Sequence, residues 1–176
     1  MKRAGKILLP DKGQEIAEAA VVLPLFMMLL LGIYWFGRAY NIYATITHAA
    51  REGARTGTAS TCVTCGNTAT TPDQIADKIS AVLKADHLDP SKATAITPAF
   101  KDCADGTTSV ACATISAGKP QVCVQQNVRL NGNTTDPPAC GIAVSFQYPY
   151  QFWLPFTSLN KQLIQLKAQA QMTGEN

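Results

Sequence analysis

The chain has 176 residues, enough for one domain of ordinary size or a small domain with an appended long helix, and too few for two domains with separate cores. Hydrophobic residues make up 47% of it and charged residues only 15%, well under the roughly 25% of a typical soluble domain, so part of the sequence is not a water-facing surface. The formal net charge of +3 comes entirely from Lys2, Arg3, Lys6 and Lys12 against Asp11, leaving eleven basic and eleven acidic residues in the remainder; a neutral remainder gives no basic face for nucleic acid.

From Ala19 to Phe36 the sequence AAVVLPLFMMLLLGIYWF carries no charge. As a helix rising about 1.5 Å per residue it spans roughly 27 Å, close to the hydrocarbon core of a bilayer at about 30 Å. Tyr34 and Trp35, followed by Arg38 and Tyr40, form the amphipathic belt expected at a membrane boundary. Basic residues before the span favour a cytoplasmic N-terminus, with the residues beyond about 40 on the far side. A cleavable secretory signal would have a shorter apolar region of about 7–15 residues and a small-residue cleavage box. Here the helical pattern continues instead through ATITHAAREGAR, with no turn cluster until about Gly57. One helix from about Ile16 to Thr56 is therefore predicted. Pro24 inside it removes a backbone donor and crowds the carbonyl of Ala20, so a kink or loosened turn is expected there.

Directly before the apolar run stands Gly13-Gln14-Glu15-Ile16-Ala17-Glu18-Ala19. A charge at the centre of a bilayer costs about 2.5–3.5 kcal/mol, less near its edge, and such groups usually have a partner. In the plainest account Glu18 and Glu15 are helix-start carboxylates favoured by the helix dipole. The stretch also resembles a type IV prepilin processing site, in which cleavage after Gly13 would leave Gln14 as the first residue and Glu18 as the fifth. That resemblance implies that the new α-amino group of one subunit pairs with the Glu18 carboxylate of a neighbour. The run GQEIAEAAVVLPLFMMLLLGIYWFGRAYNIYATITHAAREGAR, residues 13–55, further resembles the TadE-like pseudopilins of tight-adherence pilus systems. The shared marks are the Gly-Gln junction, the Glu before the apolar stretch, the Leu-Pro within it and the Ala-Ala-Arg-Glu-Gly-Ala-Arg tail. Membership would imply a single-span protein of the bacterial inner membrane, processed by a prepilin peptidase. It would act as a minor subunit in assembling thin adhesive pili, with other pilins or pseudopilins and the assembly machinery as partners.

Cys62, Cys65, Cys103, Cys112, Cys123 and Cys140 all follow the apolar segment. An even count in a region rich in Gly, Thr, Asn and Pro reads as up to three disulfides in an oxidising compartment such as the periplasm, their connectivity open. The Cys62-Val-Thr-Cys65 pair lies in a polar loop rather than opening a helix after a strand, which disfavours a redox motif. Zinc would need two further ligands, and the two histidines, His48 and His87, stand far apart.

A helix is predicted over Pro72 to Asp86, capped by Thr71, with Pro72 at its first position and Ile75, Ile79, Val82 and Leu83 on one face. Strands are predicted at Val110 to Ser116, Gln121 to Leu130, Ile142 to Phe152 and Leu163 to Met172, the last two by period-two alternation. Pro149 would make the third an edge or bulged strand. The aromatic run from Phe146 to Phe156 reads as sheet packing, or as a contact patch if Trp153, Leu154 and Phe156 are exposed.

Together these elements predict an α+β fold: a long N-terminal transmembrane helix followed by a small pilin-like domain with one further helix and an antiparallel sheet. The expected organisation is a leader at 1–13, a helix at 14–56 spanning the membrane at about 19–36, and a periplasmic domain at 57–176. No phosphate loop, nucleophile elbow or paired-carboxylate motif appears, so neither catalysis nor a metal or cofactor is expected. The competing readings are an unprocessed single-span periplasmic protein with a disulfide-stapled interaction domain, and a thiol-disulfide protein using Cys62 and Cys65.

Overall fold

The computed structural model describes residues 12–59, 70–131, 138–151 and 163–173. Helix α1 runs over Lys12–Thr58 without interruption at Pro24. It contributes to two compact units, one ending at Ala39 and one beginning at Tyr40. The second unit adds helix α2 (Pro72–Ala85) and strands β1 (Thr94–Ala95), β2 (Cys123–Arg129), β3 (Cys140–Gln151) and β4 (Leu163–Thr173). The architecture is α+β, with one further helix and an antiparallel sheet, as the sequence predicts.

The last turns of α1 are built for close packing. Ile46, Ala49, Ala50, Gly53, Ala54 and Gly57 recur at spacings of three and four, which places them along one face of a helix. Ile46, Ala49, Ala50 and Ala54 are fully buried, while His48, Arg51 and Arg55 on the other side are exposed. A Cβ added at Gly53 would lie 2.8 Å from Ile79 Cδ1, and one at Gly57 would collide with Ile142 Cδ1 and come within 3.0 Å of Ile75 Cδ1. Small residues therefore let the α1 backbone sit directly on α2 and β3. Two polar contacts flank this seam: Thr45 Oγ1 donates to Asp86 Oδ2 at 2.9 Å, and Lys78 Nζ lies 3.7 Å from Glu52 Oε1.

Helix α2 begins as its sequence dictates. The Thr71 hydroxyl accepts from the Gln74 amide while the Gln74 side chain accepts from the Thr71 amide, a complete capping box with Pro72 at the first position. Ile75, Ile79 and Leu83 are buried on its inner face, with Val82 partly so. It ends with His87 at φ +58°, Leu88 N–H donating to Leu83 O and His87 N–H to Lys84 O, the bond pair of a Schellman terminus.

Strand β3 occupies the centre of the sheet. Strand β4 pairs antiparallel along one edge, from Gly141↔Thr173 to Gln151↔Leu163. On the other edge β2 pairs with residues up to Ser145 and β1 with Phe146 and Gln147. This corrects the expectation that Pro149 marks an edge or bulged strand. Position 149 lies past the end of β1 and among the described residues is flanked by β4 alone, where a residue without an N–H is tolerated inside an otherwise central strand. The bulge falls instead in β2, between Gln126 and Val128, with Asn127 at φ +56°.

One face of the sheet presents Val124, Val144, Phe146, Tyr148, Ala168 and Ala170 to a shared core with the α1 stripe and α2. Ser145, on the polar side of the period-two alternation, and Gln125 are also fully buried, because the segment between β1 and β2 folds over the second face. Ser145 Oγ donates to Ile96 O at 2.9 Å, and the Gln125 amide donates to Pro98 O and Val110 O. The strand expected at 110–116 does not form. Only Ala113 N–H reaches β2, at Val124 O, while Cys112 is held by a disulfide to Cys123 and Ser116 is diverted to Asp73. These three anchors impose an irregular path that a ladder would forbid. A second disulfide joins Cys103 to Cys140.

Three carboxylates in this unit have their pKa lowered by hydrogen bonds they accept. Asp105 accepts from the Thr108 hydroxyl and from the Thr107 and Thr108 amides, which brings its pKa down to about 2. Asp73 is lowered by the Ser116 hydroxyl and amide and Asp89 by those of Ser91, since hydrogen bonds to a carboxylate favour its charged form. Each folded-state value lies below the ordinary 3.8, so the stability they contribute is present above that value and is lost as pH falls through the folded one.

Two measurements follow. Gly53→Leu destabilises the full chain in detergent by about 1–3 kcal/mol through overpacking against Ile79, whereas His48→Ala stays within about 0.5 kcal/mol; a Gly53→Leu protein as stable as the parent in denaturant titrations would show spare room at the seam. In thermal melts, the melting temperature falls as pH drops from about 3.8 toward about 2 and Asp73, Asp89 and Asp105 protonate. Asp105→Asn makes that acid-side fall shallower, and an unchanged slope would remove Asp105 from the account.

Candidate functional site

Most side chains of the first unit's part of α1 are apolar. Val21, Leu23, Leu25, Met28, Ile33 and Phe36 are each more than three-fifths exposed, and none of the most apolar window of this helix is buried. A core helix of a water-soluble protein has the same composition but is covered by its own chain. This surface is not, and burying it in hydrocarbon recovers on the order of 25 cal/mol per Å². The chain thus has one candidate membrane span, by length and composition.

The far end of the span has its own geometry. The Tyr34 and Trp35 rings meet edge to face with centroids 5.3 Å apart. The Arg38 guanidinium lies 5.9 Å from the Trp35 ring centroid, within the range of about 6 Å at which a cation is drawn to an indole face. Such a group, apolar on one side and charged on the other, suits the boundary between hydrocarbon and headgroups.

At the near end, Gly13 and Gln14 fall in the first turn of α1. Glu18 lies one turn further along and is exposed beside Ile16, Ala17 and Ala19. It therefore borders the apolar run along the chain. Of the expected leader, residues 1–11 lie outside the described residues.

The cysteines separate into those that are described and those that are not. Cys103–Cys140 and Cys112–Cys123 are disulfides, one nested within the other along the chain. Cys62 and Cys65 lie outside the described residues, as do Phe152, Trp153, Leu154 and Phe156 of the aromatic run. The described aromatics of that run, Phe146, Tyr148 and Tyr150, are buried. The Tyr148 hydroxyl accepts the Asp89 amide at 3.1 Å, and burial pushes its pKa up. His48 is exposed on α1 and His87 forms the α2 terminus. Among the described residues no group of three or more His, Cys, Asp or Glu side chains is placed to hold a metal.

Compared with known families, residues 13–55 match the model of the TadE-like proteins. Over that segment the chain is similar to the TadE-like proteins. No curated protein and no solved structure matches it. The TadE-like match starts in the first turn of α1 and ends at Arg55, so it takes in the exposed apolar surface and most of the small-residue seam together. Reading the Ala-Ala-Arg-Glu-Gly-Ala-Arg tail only as a family mark missed its packing role. The signal was present in the sequence, as Ala and Gly recurring at spacings of three and four from Ile46 onward. The match ties the chain to tight-adherence pilus systems, and the remainder of the domain lies outside it.

A single arginine tests the span. Leu29→Arg places a charge in the middle of the apolar surface at a cost of about 2.5–3.5 kcal/mol and shifts the protein from the carbonate-resistant membrane fraction toward the soluble or degraded pool. Full retention in membranes would remove this segment as the anchor.

Proposed function

We propose that the chain is a minor pseudopilin in the assembly of tight-adherence type IV pili, cleaved by a prepilin peptidase after Gly13. The observation that carries this reading is the placement of Glu18. It is an exposed carboxylate at the start of an uncovered apolar helix, five positions after a Gly-Gln junction, within a TadE-like segment. A carboxylate at the edge of hydrocarbon is costly alone and much less so when paired. Removal of residues 1–13 creates a positive α-amino group at Gln14, and the Glu18 carboxylate of a neighbouring subunit is its natural counter-ion. Two charges that each resist lipid then enter it as a pair, so that processing and assembly are coupled through electrostatics.

In this reading the protein crosses the bacterial inner membrane once, with the basic leader in the cytoplasm and the second unit in the periplasm. The Lys and Arg bias before the span supports the orientation, and the two disulfides support an oxidising compartment for the domain. Its partners are the membrane, the peptidase, other pilins or pseudopilins and the assembly machinery. The role is structural: the TadE-like segment supplies an anchor and a docking helix.

N-terminal sequencing of the protein purified from membranes tests the processing step, with Gln14 expected as the first residue. In the same strain Glu18→Ala leaves insertion and cleavage intact but lowers surface piliation by tenfold or more, as expected when a pair worth about 1.4 kcal/mol or more is lost at an assembly step. A protein that begins at Met1 in cells with an active peptidase would favour an unprocessed single-span anchor instead.

A further inference from the structure

The two edges of the sheet are treated differently. On the β2 side the edge is closed: the strand bulges at Gln126/Val128, Cys103 N–H donates to Asn127 O, Arg129 N–H to Lys101 O and Ala113 N–H to Val124 O, and Cys112–Cys123 staples the covering segment down. Bulges and covering loops are the usual means of blunting a strand edge. On the other side β4 has none of these among the described residues. Among the described residues it pairs with β3 alone, over all 11 of its residues in unbroken register. It contains no proline, and its single charge is Lys167.

We propose that the outer edge of β4 docks β4 of a second copy of this chain, the two strands running antiparallel about a two-fold axis at Ala168. The pattern of the strand is complementary to itself in that register. Leu166 falls opposite Ala170 of the second copy, Gln165 opposite Gln171 and Lys167 opposite Gln169. Apolar side chains thus stay together on the core side of an extended sheet and polar ones together on the other, and cross-strand neighbours of like kind stabilise the pairing. Charge selects the register, since an axis at Lys167 would set two ammonium groups face to face. Ile164, on the apolar side yet 42% exposed, gains Met172 as its cross-strand neighbour. The open backbone groups of β4 supply the bonds, as in other cases of strand addition. The inference concerns the folded unit and stands whether or not residues 1–13 are removed.

The test uses the full chain in detergent micelles, with self-association measured by sedimentation. Gln169→Lys sets a lysine opposite Lys167 twice in the pair and weakens the dimer by roughly 2- to 30-fold; Gln169→Glu creates two opposite-charge pairs and tightens it by a similar factor. Position 169 is exposed, so both variants keep the parent fold, checked by circular dichroism. Register is read by cross-linking copies that carry Gln165→Cys with copies that carry Gln171→Cys, using a short bismaleimide. The mixture cross-links, and Gln165→Cys alone does not, because six residues of strand hold position 165 about 20 Å from its symmetry mate. A chain that stays monomeric, a dimer indifferent to the charge at 169, as association through α1 would be, or a photocross-link from position 167 to a different protein in cells would each overturn the proposal.

Discussion

Contact between a glycine-bearing helix and branched side chains holds the second unit together. At Gly53 and Gly57 the α1 backbone reaches Ile79, Ile75 and Ile142 at distances that leave no space for a methyl group. Every other element of the core is placed relative to that seam: α2 lies across it, β3 lies beneath it, and β4 and β2 are positioned by β3. The same helix carries a bare apolar surface in its N-terminal half. Along α1 the side chains change from large and exposed to small and buried. The TadE-like match covers both stretches, which explains why a family pattern would include Ala and Gly well beyond the apolar run.

The sheet is finished by covalent means on the side away from the helices. There is little apolar area on that face to hold a covering segment, since its buried members include Ser145 and Gln125. Hydrogen bonds to backbone carbonyls and two disulfides take over. A disulfide stabilises largely by restricting the unfolded chain, to a degree that grows slowly with loop length. This suits a small unit whose hydrophobic core lies mostly on one side of its sheet.

Much of this was legible in the sequence, for reasons that can be named. Helix α1 could be read almost to its ends because no turn residue interrupts it before Gly57, and α2 because Thr71, Pro72 and Gln74 form a start signal that acts within one turn. Strand β4 was legible although Lys, Gln, Leu and Ala favour helices, since its period of two overrides propensity when one face is buried. What escaped depended on partners distant in the chain. The two residues of β1 form a strand only because Phe146 and Gln147 are beside them. Residues 110–116 have strand-like composition, yet Cys112, Ala113 and Ser116 are each claimed by a different neighbour. Pro149 was read by a rule about edges, and the rule holds locally while the strand itself is central. Pairing among the cysteines is a property of the folded topology, which no local pattern encodes. For the candidate site, Gly13, Gln14 and Glu18 were singled out by resemblance to a prepilin processing site, carried by a short basic leader, a Gly, a Glu at its offset and a long apolar run together.

The nested order of the two described disulfides has a consequence for how the chain withstands cleavage. The Cys112–Cys123 ring lies wholly inside the Cys103–Cys140 ring, and between the inner pair runs an exposed turn at residues 117 and 118. A protease that severs that turn leaves two fragments tied twice over, and reducing either bond alone still keeps them on one molecule. Damage at an exposed turn of the covering segment is thereby contained without the loss of either half.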